Sequence, residues 1–176
     1  MRTRETYLPA ALLLIAMMLF GCEATPAPSE PAEPALSMST NALLVPPDEV
    51  VAMLDQAIQD EYYLQALYTK VMADLGELKP FNRILDAEGR HVAALARQYE
   101  KYRLTVPTSE WTSDELPDFE TQLAACTEAA SAETANAAMY EGFLLSTDLP
   151  ERIQSVFESL KAASLDSHLA AFTRCM

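Results

Sequence analysis

The chain of 176 residues carries 26 acidic against 12 basic side chains, a formal net charge of −14 at pH 7. That balance excludes a nucleic-acid binder, since phosphate backbones are held by clustered Lys and Arg. With only two histidines and no glycine-rich loop or nucleophile elbow, the sequence gives little to a hydrolase or a nucleotide enzyme.

Residues 1–21 read as a processing signal. Arg2 and Arg4 precede an apolar run from Leu8 to Leu19, followed by Leu19-Phe20-Gly21-Cys22. Twelve apolar residues are too few to span about 30 Å of hydrocarbon, so cleavage and acylation of Cys22 fit better than a transmembrane helix. The segment resembles a bacterial lipoprotein signal with its lipobox. The other reading is an uncleaved anchor; both place the chain in the cell envelope, on the extracytoplasmic, periplasmic side. Removing this segment takes away Arg2, Arg4 and Glu5 and leaves the remainder one unit more acidic. A like-charged membrane surface would repel it, so the lipid is the expected attachment. Residues 22–45, rich in Pro, Ala, Glu, Ser and Thr, have little to bury and read as a disordered or polyproline-like tether. Residues 46–176 have the length of one domain with one core.

Four helices account for that domain, and strand signals are absent. The first is expected from about Asp48 to Leu75, opened by Pro46-Pro47 and closed by Gly76. Its three-four spacing puts Val51, Leu54, Ile58, Glu61, Gln65, Tyr68, Met72 and Leu75 on one face. A carboxylate on that face is costly unless paired or bound to a cation. A short link forces an antiparallel second helix, from about Pro80 to Arg103, whose stripe holds Phe81, Ile84, Glu88, His91, Leu95, Gln98 and Tyr102. Leu104 to Leu116 is a long connection reaching roughly 43 Å if extended, enough to cross the bundle and bring Glu133 level with His91. The third helix, expected from about Pro117 to Leu145, aligns Leu123, Cys126, Ala130, Glu133, Ala137, Tyr140 and Leu144. The fourth, opened by Thr147-Asp148-Leu149-Pro150 and running to about Arg174, aligns Ile153, Val156, Phe157, Leu160, Ser164, His168, Phe172 and Cys175.

The two halves echo each other. His91-Val-Ala-Ala-Leu95 returns as His168-Leu-Ala-Ala-Phe172, and Glu61 and Glu133 each begin a Glu-x4-Ala-[Leu/Met]-Tyr segment ending at Tyr68 and Tyr140. Two related αα-hairpins, each with an inward Glu and an inward His, are how bundle cores build metal sites. Glu88 and His91, three apart, face the same side of one helix as two ligands of one ion must. Glu61, Glu88, His91, Glu133 and His168 are therefore the candidate metal ligands, of a type suited to Fe, Mn or Zn. The competing account is a buried network of the same groups satisfying one another without metal. Tyr68 and Tyr140 sit two turns beyond their glutamates, placed to hydrogen-bond ligating groups or pass an electron, or simply to pack. Gly89, inside the second helix, leaves room for a close neighbour or is a tolerated small residue. Cys126 and Cys175 come to one height on facing stripes, which permits a disulfide in an oxidising compartment; two buried thiols are the alternative.

The segments AEGRHVAAL, AMYEGFL and ASLDSHLAAFTRC resemble the ferritin-like superfamily, which includes rubrerythrin and other di-iron carboxylate proteins, and most nearly a bacterial and archaeal branch of it. The resemblance covers almost all of Asp48 to Cys175. It implies a ferritin-like four-helix bundle with a long crossover between helices two and three, with Glu61 and Glu133 as bridging or terminal carboxylates beside Glu88, His91 and His168. It also implies a second Glu-x-x-His, yet three residues before His168 stands Leu165. The expected site is thus lopsided, holding a mononuclear or an asymmetric dinuclear centre. The expected function is metal handling or oxidative-stress defence, with catalysis and a homodimer left open. The rival is a non-enzymatic helical binding or structural module of the envelope with a degenerate metal site.

Overall fold

The computed structural model describes residues 46–176, all helical where regular, with no strand among the described residues. The signal segment, Cys22 and the tether expected over residues 22–45 lie outside the described residues. No helix of the described part is long and apolar enough to cross a membrane.

Helix α1 spans Asp48–Leu75, as its flanking residues imply. Asp48 and Glu49 set negative charge against the positive end of the helix dipole, and Gly76 ends it at φ 79°, with its N–H bonded to Met72 O. Helix α2, Phe81–Tyr102, follows Pro80 and stops at Arg103, which turns out of the helix at φ 58°. The connection then runs to Thr121 with a single 3-10 turn at Ser113–Glu115, closed by a reciprocal Thr112–Glu115 cap.

Helix α3 covers Gln122–Phe143, so the expected start at Pro117 is five residues early. Tethering to α1 is the reason. Asp74 accepts from Phe119 N–H at 2.9 Å, Lys70 pairs with Asp118 at 2.5 Å, and Phe119 is buried, so the chain cannot coil until Thr121 caps Ala124 N–H. The expected inward Leu123 is consequently in the first turn and 58% exposed.

The fourth rod is interrupted. Helix α4, Glu151–Ala162, passes into a π-helical stretch, Ala163–Leu169, before a last α-helical turn, α5, Ala170–Thr173. Such wide turns inside α-helices recur at functional sites.

Helix α1 packs on α2 and α3, α3 packs on α4 and the π stretch, and α2 touches α4, which closes a helical bundle. The apolar core falls into two clusters. One gathers Leu64, Leu67, Tyr68, Phe81, Cys126 and Phe172; the other Leu54, Ile58, Leu95, Tyr99, Tyr140 and Phe157. On every rod the polar side chain sits between its two apolar sets: Glu61 on α1, Glu88 on α2, Glu133 on α3, and Ser164 with His168 on the π stretch. A polar layer is therefore sealed between two greasy ones. Cys126 and Cys175 pin one end of the bundle, at disulfide distance with Cα atoms 6.0 Å apart.

Candidate metal centre

The five candidate ligands meet in that layer, and the two-half echo is visible in how they connect. Glu88 is the hinge of the arrangement: its Oε2 lies 2.7 Å from His91 Nδ1, and its Oε1 lies 3.0 Å from His168 Nδ1. Each imidazole reaches outward to one further acid, His91 Nδ1 to Glu61 Oε2 at 3.2 Å and His168 Nδ1 to Glu133 Oε1 at 3.2 Å. The two rings stack with centroids 5.3 Å apart. The donor atoms of Glu88, His91 and His168 lie within 4.8 Å of one another. Glu133 pairs with His168 in its own half.

The two tyrosines are exchanged between halves. Tyr68 follows Glu61 in sequence but donates to Glu133 Oε1 at 2.5 Å, while Tyr140 follows Glu133 but donates to Glu61 Oε1 at 2.6 Å. Antiparallel packing explains this, because a side chain two turns beyond its own glutamate moves away from it and toward the partner hairpin's. All three glutamates are fully buried, and burial of uncompensated carboxylates is strongly unfavourable.

That burial moves the protons. Desolvation lifts Glu61 to about 7, against the opposing pull of His91. Burial alone would lower both imidazoles, but the facing carboxylates win and take His91 up to about 10 and His168 to about 9. Glu88, desolvated but flanked by both rings, ends below the usual carboxylate range. Desolvation raises Tyr68 and Tyr140 well above the ordinary phenol value, so both hydroxyls keep their protons as donors.

The halves differ in satisfaction. On the His91 side every facing atom is hydrogen-bonded. On the other side His168 Nδ1 is close to two carboxylate oxygens but misaligned, so charge attraction operates without a hydrogen bond. Glu88 Oε1, His168 Nδ1 and Glu133 Oε2 are left buried and without a hydrogen-bond partner. Orphaned buried atoms are rare, and two of these, Glu88 Oε1 and His168 Nδ1, belong to residues of the Glu88–His91–His168 group, whose oxygen and imidazole donors a divalent cation would satisfy. The residues present fit a metal ion.

Sequence reasoning missed Asn136. It is fully buried on α3 one turn past Glu133, and its Nδ2 donates to Asp60 Oδ2 at 2.7 Å and to Glu61 Oε1 at 3.3 Å. Its Oδ1 accepts from Ser164 Oγ at 2.6 Å. The available signal was a lone amide in an alanine-rich stripe at i+3 from Glu133. Gln65 Nε2 meets the Glu88 carbonyl at 3.2 Å, steadying the α2 turn that carries the central acid. Leu165, at the place of the absent acid, is 39% exposed. Gly89 faces open space among the described residues, which fits a tolerated small residue rather than room kept for a close neighbour.

Among known proteins, no family model, no curated protein and no solved structure matches the chain.

Proposed function

We propose that the chain is a ferritin-like metal-binding protein of the cell envelope, held on the extracytoplasmic side by a lipid on Cys22, acting in metal handling or oxidative-stress defence. The observation that carries this reading is the buried string Tyr140–Glu61–His91–Glu88–His168–Glu133–Tyr68, with three of its atoms orphaned around His168. Glu88, His91 and His168, whose donor atoms lie within 4.8 Å of one another, are the first ligands of an Fe, Mn or Zn ion, with Glu61 and Glu133 flanking them through the two imidazoles. A bound Fe or Mn ion supplies one-electron chemistry, and Zn only Lewis acidity or structural support.

The chain's own groups prepare the site in definable ways. The Tyr68 and Tyr140 hydroxyls hold one oxygen of Glu133 and of Glu61, fixing which oxygen is free to bind. Protons on both imidazoles must leave as the cation arrives, because only the neutral ring is a ligand. Glu61, poised near neutrality, can take one of them.

The second reading, a non-enzymatic module with a degenerate site, is favoured by Leu165, exposed at the position where the resemblance implies an acid. Metal analysis of protein purified from its native compartment separates the two. About one equivalent of a transition metal in wild type, lost in Glu88→Ala, is the expected result. Less than about a tenth of an equivalent in both would overturn the metal reading. A chelator that lowers the melting temperature of wild type but not of Glu88→Ala would support metal binding by an independent route.

A further inference from the structure

The connection between α2 and α3 carries the chain's one tryptophan, Trp111, onto the outer face of α1. Gln59 clamps it from both sides: Nε2 donates to Thr108 O at 2.8 Å and Oε1 accepts from Glu110 N–H at 3.0 Å. The Tyr62 hydroxyl adds a bond to Pro107 O at 3.3 Å. The indole meets Tyr63 edge-on, centroids 5.0 Å apart at 63°, and stays 41% exposed. The indole is thus held by the loop and by Tyr63 while two-fifths of it stays open to solvent.

Beside this pair opens a cleft of about 460 Å³ lined by Gln56, Gln59, Asp60, Tyr63 and Trp111, within the size range of small-molecule sites. Among the described residues no basic side chain lines it. Only Oδ2 of Asp60 is engaged among the described residues, by Asn136, and Glu128 stands near the Tyr63 hydroxyl. Aromatic faces carry negative electrostatic potential and attract cations, most strongly for tryptophan, and a partly buried carboxylate adds to the same sign. An anion would meet the Asp60 carboxylate and two aromatic faces of its own sign, whereas a cation meets attraction from all three.

We propose that this cleft binds a small organic cation of the quaternary-ammonium or alkylamine class, its charged head on the Trp111–Tyr63 pair and Asp60 as its counter-ion. The site is distinct from the buried centre yet linked to it, since Asn136 bonds both Asp60 and Glu61. Cation binding here requires no metal in that centre, so the two readings stand or fall separately.

Trp111 reports on its own site. Choline is titrated into the full chain while tryptophan emission is followed, with 3,3-dimethylbutan-1-ol as the uncharged molecule of the same shape and sodium chloride as the ionic control. A saturable change with choline is expected in the millimolar range, about tenfold or more weaker with the alcohol, and weakened about tenfold by Tyr63→Leu and by Asp60→Asn. Because Asp60→Asn also touches Asn136, an exposed variant gives the second arm. Trp111→Leu, followed by saturation-transfer NMR on the choline methyls, should lose the signal. Equal response to choline and alcohol, no saturation, or an undiminished NMR signal in Trp111→Leu overturns the proposal.

Discussion

Replacing Glu88 by Gln is the most informative single change, because it keeps the volume and removes the charge between two imidazoles. In the metal-free protein that carboxylate faces His91 at 2.7 Å and His168 at 3.0 Å. Stripping a buried charge of its partner costs about 3–5 kcal/mol when the remaining charge cannot escape. Here each ring can escape by losing its proton, so the loss must depend on pH. Wild-type imidazoles are raised from 6.5 to about 10 and about 9, so their stabilisation is full below pH 6.5 and disappears as pH climbs through those values. In Glu88→Gln the share that Glu88 supplies is gone, while Glu61 still raises His91 and Glu133 still raises His168. The difference between the proteins should be about 3 kcal/mol near pH 6 and under about 1 kcal/mol near pH 10. For a domain of about 130 residues unfolding with ~2.1 cal/mol/K per residue, 3 kcal/mol is roughly 10 °C in melting temperature. Thermal melts of chelator-treated protein from pH 6 to 10, read by helical circular dichroism, measure it. A gap that is constant across that range, or widens toward alkaline pH, refutes the claim that Glu88 holds both protons.

Three further outcomes follow from the same geometry. Metal affinity should rise with pH between 6.5 and about 9, with up to about two protons released per ion in unbuffered titration calorimetry, because His168 and His91 must be deprotonated to ligate; release of none contradicts imidazole ligation. Tyr140→Phe and Tyr68→Phe each remove a buried bond to a carboxylate and should destabilise by about 1.5–3 kcal/mol in urea melts. Because the two hydroxyls hold Glu133 and Glu61 rather than the Glu88–His91–His168 group, neither change should abolish metal binding, and loss of all bound metal in either variant would be contrary. Cys126→Ser opens a link across 49 residues of sequence, for which chain entropy gives about 4 kcal/mol, an upper figure checked by melts in oxidising and reducing buffer.

Much of the fold and the site was legible because the same residues did two jobs. The bounds of α1 are written in Pro47 and Gly76, and the ligand set in polar residues standing on otherwise apolar stripes. What the sequence hid is tertiary. Leu64 and Leu67 are buried although they fall off the single stripe expected for α1, because that helix packs against both α2 and α3 and so buries a wider arc than one neighbour requires. The late start of α3 depends on Asp74 and Lys70, forty-odd residues upstream of the segment they hold, and no local propensity contains that information. The tyrosine exchange likewise follows from antiparallel packing rather than from spacing within a helix.

The acid that the resemblance implies three residues before His168 is where the expected pattern and this chain part. Counting back three residues from His168 by α-helical rules reaches Leu165, and an apolar residue there suggests a simple loss. The three-four stripe already sets Ser164 inward, and the π stretch, whose turns hold more residues, keeps Ser164 four back as the inward neighbour of His168 while Leu165 turns toward solvent. Ser164 is 1% exposed and donates to Asn136, which in turn holds Asp60 and Glu61. The counterpart of Glu88 is therefore a hydroxyl–amide relay that ends on a carboxylate at the edge of the bundle. This accounts for the uneven halves: the relay reaches Glu61 through Asn136, so the His91 side is satisfied by protein, and the unmet demand for positive charge is concentrated beside His168.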